Sequence, residues 1–200
     1  MKGKRDDLVR AAKTLLWRQG YEATSPRDLL KASGAGQGSL YHHFDGKLDL
    51  AATALEEVSV AMRARMGKAL ADDLPPLERT IRYLRMPRDG LKGCRMGRHA
   101  AEAAIAEDRL RRPVEAYFAE LEARLAETLR EAQQAGDLDP ALDADALALM
   151  LVATVQGGYT LSRVHRDRAA MARATDAAVA LLRKAGGGTA RASHTQRPLI

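Results

Sequence analysis

The chain has 200 residues, with 32 Lys and Arg against 26 Asp and Glu, a formal charge of +6 and one cysteine, so it holds one ordinary domain or a small domain beside a larger one and no internal disulfide. Hydrophobic residues make up 46% and aromatics only 4%, much of the apolar share being Ala; this favours helices, and no alternating Val/Ile/Thr run marks a strand. No apolar stretch approaches the length of a membrane span, and the basic start lacks the apolar run of a secretory signal, which points to the cytoplasm.

Charge is unevenly placed. Residues 1–50 carry nine basic and six acidic side chains, and residues 183–200 carry four basic ones and no acid. Basic ends around a nearly neutral body suit a polyanion partner, although solubility alone accounts for them equally well.

Leu8, Ala11, Ala12, Leu15 and Leu16 fall at helical spacing, and Gly20 ends that helix. Ser25 reads as an N-cap, with Pro26 opening a short helix over 26–32 that Ser33-Gly34 breaks. A third short helix is predicted over about 37–43, closed by Asp45-Gly46, and Lys47 opens a long one to about Leu70. Pro75 and Pro76 start a helix through Leu84, and residues 87–93 read as a loop. Helices are then predicted from Cys94 to about Ile105 and from about Asp108 to Gln134, Pro113 kinking or restarting the second. A strongly apolar helix over 143–165 and a last one over about 168–185 complete the pattern. Residues 187–200 are expected to form a flexible basic tail.

Three helices can pack around Leu8, Leu15, Leu29, Leu40 and Phe44, and the pair 26–32 and 37–43 has helix-turn-helix proportions. Small residues at Gly38 and Ser39 let the second helix approach a major groove, where Gln37 suits adenine and Ser39 several bases. Tyr41, His42 and Lys47 suit phosphates.

The run from Arg5 to Leu50 resembles the DNA-binding domain of the TetR family of repressors. The residues that carry it are Gly20-Tyr21-Glu22-Ala23-Thr24-Ser25, Asp28-Leu29-Leu30, Ser33-Gly34-Ala35, and Gly38-Ser39-Leu40-Tyr41-His42-His43-Phe44 followed by Lys47. The resemblance implies an all-α fold, with a three-helix DNA-binding domain over 1–46 and a helical-bundle effector-binding and dimerisation domain over 47–186. It implies a homodimer on a double-stranded DNA operator, controlled by a small-molecule effector. No cofactor, metal or membrane is implied. Carried over residue by residue, Thr24, Ser25, Tyr41 and Lys47 hold phosphates, while Arg27, Gln37, Gly38, Ser39 and His42 lie near base edges. Gly36 departs from the Ser or Thr often found at that helix cap, and Leu48 stands where an acid commonly follows the Lys.

Gly93-Cys94 opening a predicted helix, with Glu102 eight residues on, resembles a subgroup that senses electrophiles and oxidants through this cysteine. A helix N-terminus beside Lys92, Arg95 and Arg98 would favour the thiolate. The plain alternative is a small residue packing the helix start. Glu102, Tyr117, Gln156, Tyr159 and Arg163 are the further effector-site candidates, Arg163 standing where related sensors carry an assisting lysine. In the family the last two helices pair with those of the dimer mate. A cysteine-dependent enzyme using Cys94 and His99 is disfavoured, since a five-residue helical offset puts them on different faces. A ligand-independent architectural DNA-binding protein is the other alternative.

Overall fold

The computed structural model describes residues 3–186, and among them every regular element is helical. The order is α1 (Lys4–Gln19), α2 (Pro26–Ser33), α3 (Gln37–His43), α4 (Lys47–Ala69), α5 (Pro76–Leu84), α6 (Asp108–Gln134), α7 (Ala144–Val164) and α8 (Ala169–Gly186). The basic tail expected over 187–200 lies outside the described residues. Two compact units divide the described residues: one runs from Gly3 to Ala64 and adds Lys92–Ala119, the other holds Arg65–Leu91 and Glu120–Gly186. The segment 1–46 therefore sits inside a larger unit.

The core of the first unit holds Leu8, Leu29, Leu40 and Phe44, as the apolar spacing calls for, and extends beyond them into α4. Leu8, Val9, Ala12 and Leu16 of α1 meet Leu29, Leu40, Phe44 and the α4 residues Leu50, Ala51, Ala54 and Leu55. Leu15 packs at the margin, half-buried. Burying a leucine fully stabilises by about 1.5–3 kcal/mol, so short helices that could not persist alone are held by shared apolar contact.

Residues 94–105 do not form the helix that their composition suggests. Turns lead into two 3-10 stretches, His99–Ala101 and Ala103–Ala106. Three local facts oppose an α-helix there. Gly93 has φ +81°; the Gly97 N–H donates to Cys94 Sγ at 3.3 Å; and Glu102 is extended, at φ −90° and ψ 142°, with its carboxylate bonded outside the segment. Pro113, by contrast, leaves α6 continuous over its 27 residues, and the Ser59 hydroxyl donates to the Pro113 carbonyl at 2.8 Å.

In the second unit α7 and α8 pack as a hairpin. Gly158 makes the close approach possible: a Cβ there would lie 2.9 Å from Met171 Sδ. At 21 residues and mean hydropathy 1.2, α7 is long and apolar enough, by length and composition, to cross a membrane. This corrects the expectation that no stretch comes near that length. One face is buried through Ala148, Leu151, Val152 and Val155, while Leu149, Met150, Leu161 and Val164 are exposed, Val164 at 69%.

Candidate nucleic-acid interface

Helix α3 has seven residues and two unlike faces. Leu40 is fully buried and Phe44, just past its end, is 4% exposed. Gln37, Gly38, Tyr41 and His42 face solvent and Ser39 is half-buried; Tyr41 is 59% exposed. Gly36 caps the helix with no side-chain bond, as its lack of a hydroxyl dictates, and Gly38 has nothing within 4 Å of a Cβ position. The backbone at the start of α3 is thus open to a close partner.

Helix α2 begins with a full capping box. Asp28 N–H donates to Ser25 Oγ at 3.2 Å, Ser25 N–H donates to Asp28 Oδ2 at 3.0 Å, and the Ser25 hydroxyl donates to the same oxygen at 2.6 Å. These bonds hold the Asp28 carboxyl below its usual pKa, the Ser25 side chain being the largest cause. Arg27 projects into solvent beside this helix start.

Thr24 is a correction. It is 1% exposed, and its hydroxyl donates to the Gly20 carbonyl at 2.5 Å. The side chain braces the α1–α2 turn and offers no phosphate contact, because closing a turn on Gly20 uses the one donor it has.

Lys47, at the first position of α4, lies over the Tyr21 ring, Nζ 4.0 Å from the centroid. Burial lowers its pKa, while Glu102 and Glu22 oppose that shift. Asp49, third in α4, accepts the Asp45 N–H at 3.1 Å, so the helix start is closed by Asp49 and Leu48 need not be acidic.

The α1–α2 turn is held from a second direction. Glu102 Oε2 accepts the N–H groups of Tyr21 at 2.6 Å and Glu22 at 3.1 Å. Its Oε1 lies 2.7 Å from His99 Nδ1, and Ala104 N–H donates to Glu22 Oε1 at 3.1 Å. Gly20, at φ +86°, leaves the room: a Cβ there would lie 2.6 Å from Glu102 Oε2. Farther along α1, Trp17 Nε1–H donates to the Gly93 carbonyl at 3.1 Å, and the Arg95 guanidinium sits 4.5 Å from the Trp17 ring centroid. Burial is the largest cause of a lowered His99 pKa, with Glu102 acting against it. Sequence reasoning placed Glu102 among the effector contacts. Its spacing of three from His99 was the available signal of a bonded pair, but its bonds to residues some eighty positions away left no local trace.

Cys94 is 6% exposed, in a turn and not at a helix N-terminus, so the helix-dipole argument for its reactivity falls. Cys94, Glu102 and Tyr117 belong to the first unit; Gln156, Tyr159 and Arg163 belong to the second. Tyr117 is buried edge-on to Phe118, centroids 5.1 Å apart. Gln156 and Tyr159 are half-buried and Arg163 is exposed, one face of α7 carrying all three. An open polar cleft of about 250 Å³ in the second unit is lined by Asp72, Arg79, Arg124, Glu127 and Glu131, and by none of these candidates.

Residues 8–54 match the family model for bacterial regulatory proteins of the tetR family, and residues 78–178 match the tetracyclin repressor-like C-terminal domain. The transcriptional regulator AcuR of Cereibacter sphaeroides is 30% identical over 70% of this chain and 68% of its own length. The HTH-type transcriptional repressor DhaR of a Mycobacterium species is 25% identical over 82% of this chain and 84% of its own. Among solved structures, a regulatory protein TetR from Rhodobacter sphaeroides superposes with TM-score 0.78 at 26% identity, covering 88% of this chain and 96% of that one. The fold also matches reduced E. coli NemR, with TM-score 0.79 at 20% identity over 92% and 97% of the two chains.

Proposed function

Since the chain belongs to the tetR family of bacterial regulatory proteins, it is a DNA-binding transcriptional regulator, and we propose that it is a repressor that holds a two-fold symmetric operator as a homodimer and is released by a small molecule. The observation that carries this reading is α3, where Leu40 and Phe44 anchor one face and Gln37, Gly38, Tyr41 and His42 are left outward. In the reading Gln37, Ser39, His42 and Arg27 meet base edges, Gly38 admits close approach, and Tyr41, Lys47 and the first turn of α2 meet phosphates, the Ser25 hydroxyl and N–H being engaged by Asp28. The exposed apolar stripe of α7 (Met150, Leu161 and Val164) and Leu181 of α8 supports dimer pairing through these helices.

Gln156, Tyr159 and Arg163, which share one face of α7, are the proposed effector contacts. Modification of Cys94 is the other route to release. Burial of Cys94 and the Gly97 N–H on its sulfur favour the small molecule, because a reagent reaches this thiol only when its turn opens.

Footprinting and sedimentation test the reading together. A symmetric footprint with half-sites roughly 34–36 Å apart, or a multiple of that, and a dimer at micromolar concentration are expected. Monomers with an asymmetric footprint would overturn it. Unchanged operator affinity after complete alkylation of Cys94 would remove the cysteine route alone.

A further inference from the structure

We infer that Glu102, steadied by His99, is a positioning residue for DNA binding: it sets the α1–α2 turn from which the phosphate-facing groups at Lys47 and the α2 start are presented. The inference rests on the reading that this face binds DNA.

The geometry is specific. One carboxylate accepts two successive backbone N–H groups, Tyr21 at 2.6 Å and Glu22 at 3.1 Å, and its other oxygen meets His99 Nδ1 at 2.7 Å. Bonds to an ionised acceptor are shorter and stronger than neutral ones. His99 is 4% exposed, and a neutral ring donating from Nδ1 fixes where the carboxylate points. Glu22 returns the contact by accepting Ala104 N–H at 3.1 Å. The two strands of chain are therefore cross-tied, and Gly20 is the residue whose missing Cβ lets Glu102 in.

Each tied atom leads to the DNA face. The Tyr21 ring carries the Lys47 ammonium at 4.0 Å. The Tyr21 carbonyl accepts Thr24 N–H at 3.2 Å, and Thr24, buried, precedes the Ser25 cap. A turn freed from Glu102 therefore moves Lys47's platform and the first residues of α2 together. Neither Glu102 nor His99 lies on the exposed face of α3, so their effect on DNA passes through this turn.

Operator affinity across a salt series, with far-UV circular dichroism and thermal midpoint beside it, tests this on the full chain. Glu102→Ala is expected to weaken operator binding about tenfold or more and to flatten the salt slope, because presented phosphate contacts are lost. Glu102→Gln keeps an acceptor for both N–H groups and should restore affinity to within about threefold. Glu22→Ala, an exposed change that cannot unfold the core, should lower affinity by a few-fold and raise amide hydrogen exchange at Ala104, and Glu102→Ala should raise exchange at Tyr21 and Glu22. Wild-type affinity and slope in Glu102→Ala would overturn the inference. So would equal losses in Glu102→Ala and Glu102→Gln that track a lowered thermal midpoint, and, if Glu102→Ala fails to fold, wild-type binding by Glu22→Ala with raised Ala104 exchange. Absence of specific binding by the wild-type chain would instead overturn the function reading.

Discussion

Replacing Lys47 by Ala tests the interface through its charge. A side chain that neutralises one phosphate contributes about 0.9 to the slope of log affinity against log salt on duplex DNA. In the proposed two-fold dimer Lys47 is presented twice, so the variant loses about 1.8 units of slope. Between roughly 50 and 200 mM salt the affinity defect then shrinks about twelvefold. The ammonium also leaves the Tyr21 ring, 4.0 Å away, a contact within the free chain worth about 0.5–1 kcal/mol at exposed sites, so that loss is read in the thermal midpoint and not in affinity. Fluorescence anisotropy on the operator and on a scrambled duplex, over a salt series, reads the phosphate contribution. The salt-dependent loss should be alike on both duplexes, since phosphates carry no base information. An unchanged slope would refute the phosphate role, and a defect confined to the operator would make Lys47 a base reader.

Gln37→Ala should cost about 1–3 kcal/mol at a single base pair per half-site and leave the salt slope intact, as measured by affinity across a set of single-position operator variants. Gly158→Ala meets the buried Met171, its Sδ at 2.9 Å, and should lose about 1 kcal/mol net in denaturant unfolding. Stabilisation instead would show that the α7–α8 contact is loose. The lowered pKa of buried His99 means that the unfolded chain binds its proton more readily. Stability should therefore be full above the unfolded His value near 6.5 and fall as pH drops through the folded value; His99→Gln should flatten that fall in urea titrations at several pH values.

Local rules made the first fifty residues legible. Ser25-Pro26 announced a cap and a helix start, and the structure has both with the reciprocal Asp28 bond; the apolar spacing named Leu8, Ala12, Leu16, Leu29, Leu40 and Phe44 of the core but not the α4 residues Leu50, Ala51, Ala54 and Leu55 that complete it. Residues 94–105 were misread for a matching reason. Ala-rich composition favours a helix, but Gly93, the Gly97–Cys94 contact and the long-range bonds of Glu102 outweigh propensities of a few tenths of a kcal/mol per residue. Thr24 shows the limit of a carried-over role: its position in the motif was right, while its hydroxyl points inward to Gly20. Pro113 does not restart the helix, since α6 continues through it.

The energy of the cross-tie bears on how such a regulator switches. Turning a population from 99:1 to 1:99 takes about 5.5 kcal/mol of differential binding. Hydrogen bonds to a charged acceptor contribute about 1.5–3 kcal/mol each, and neutral ones about 1. Glu102 accepts two such bonds from the turn, Glu22 accepts one from Ala104, and Trp17 donates a neutral one to Gly93. Together they are of the order that a switch requires, so opening segment 92–104 from α1 would suffice to displace the turn without unfolding α2 or α3. A rearrangement on that scale would leave the Leu8–Leu29–Leu40 core untouched. Amide exchange on the released protein should then rise at Tyr21, Glu22 and Ala104 while staying slow at Leu40, and a uniform rise across α1 to α3 would mean that release proceeds by unfolding the module.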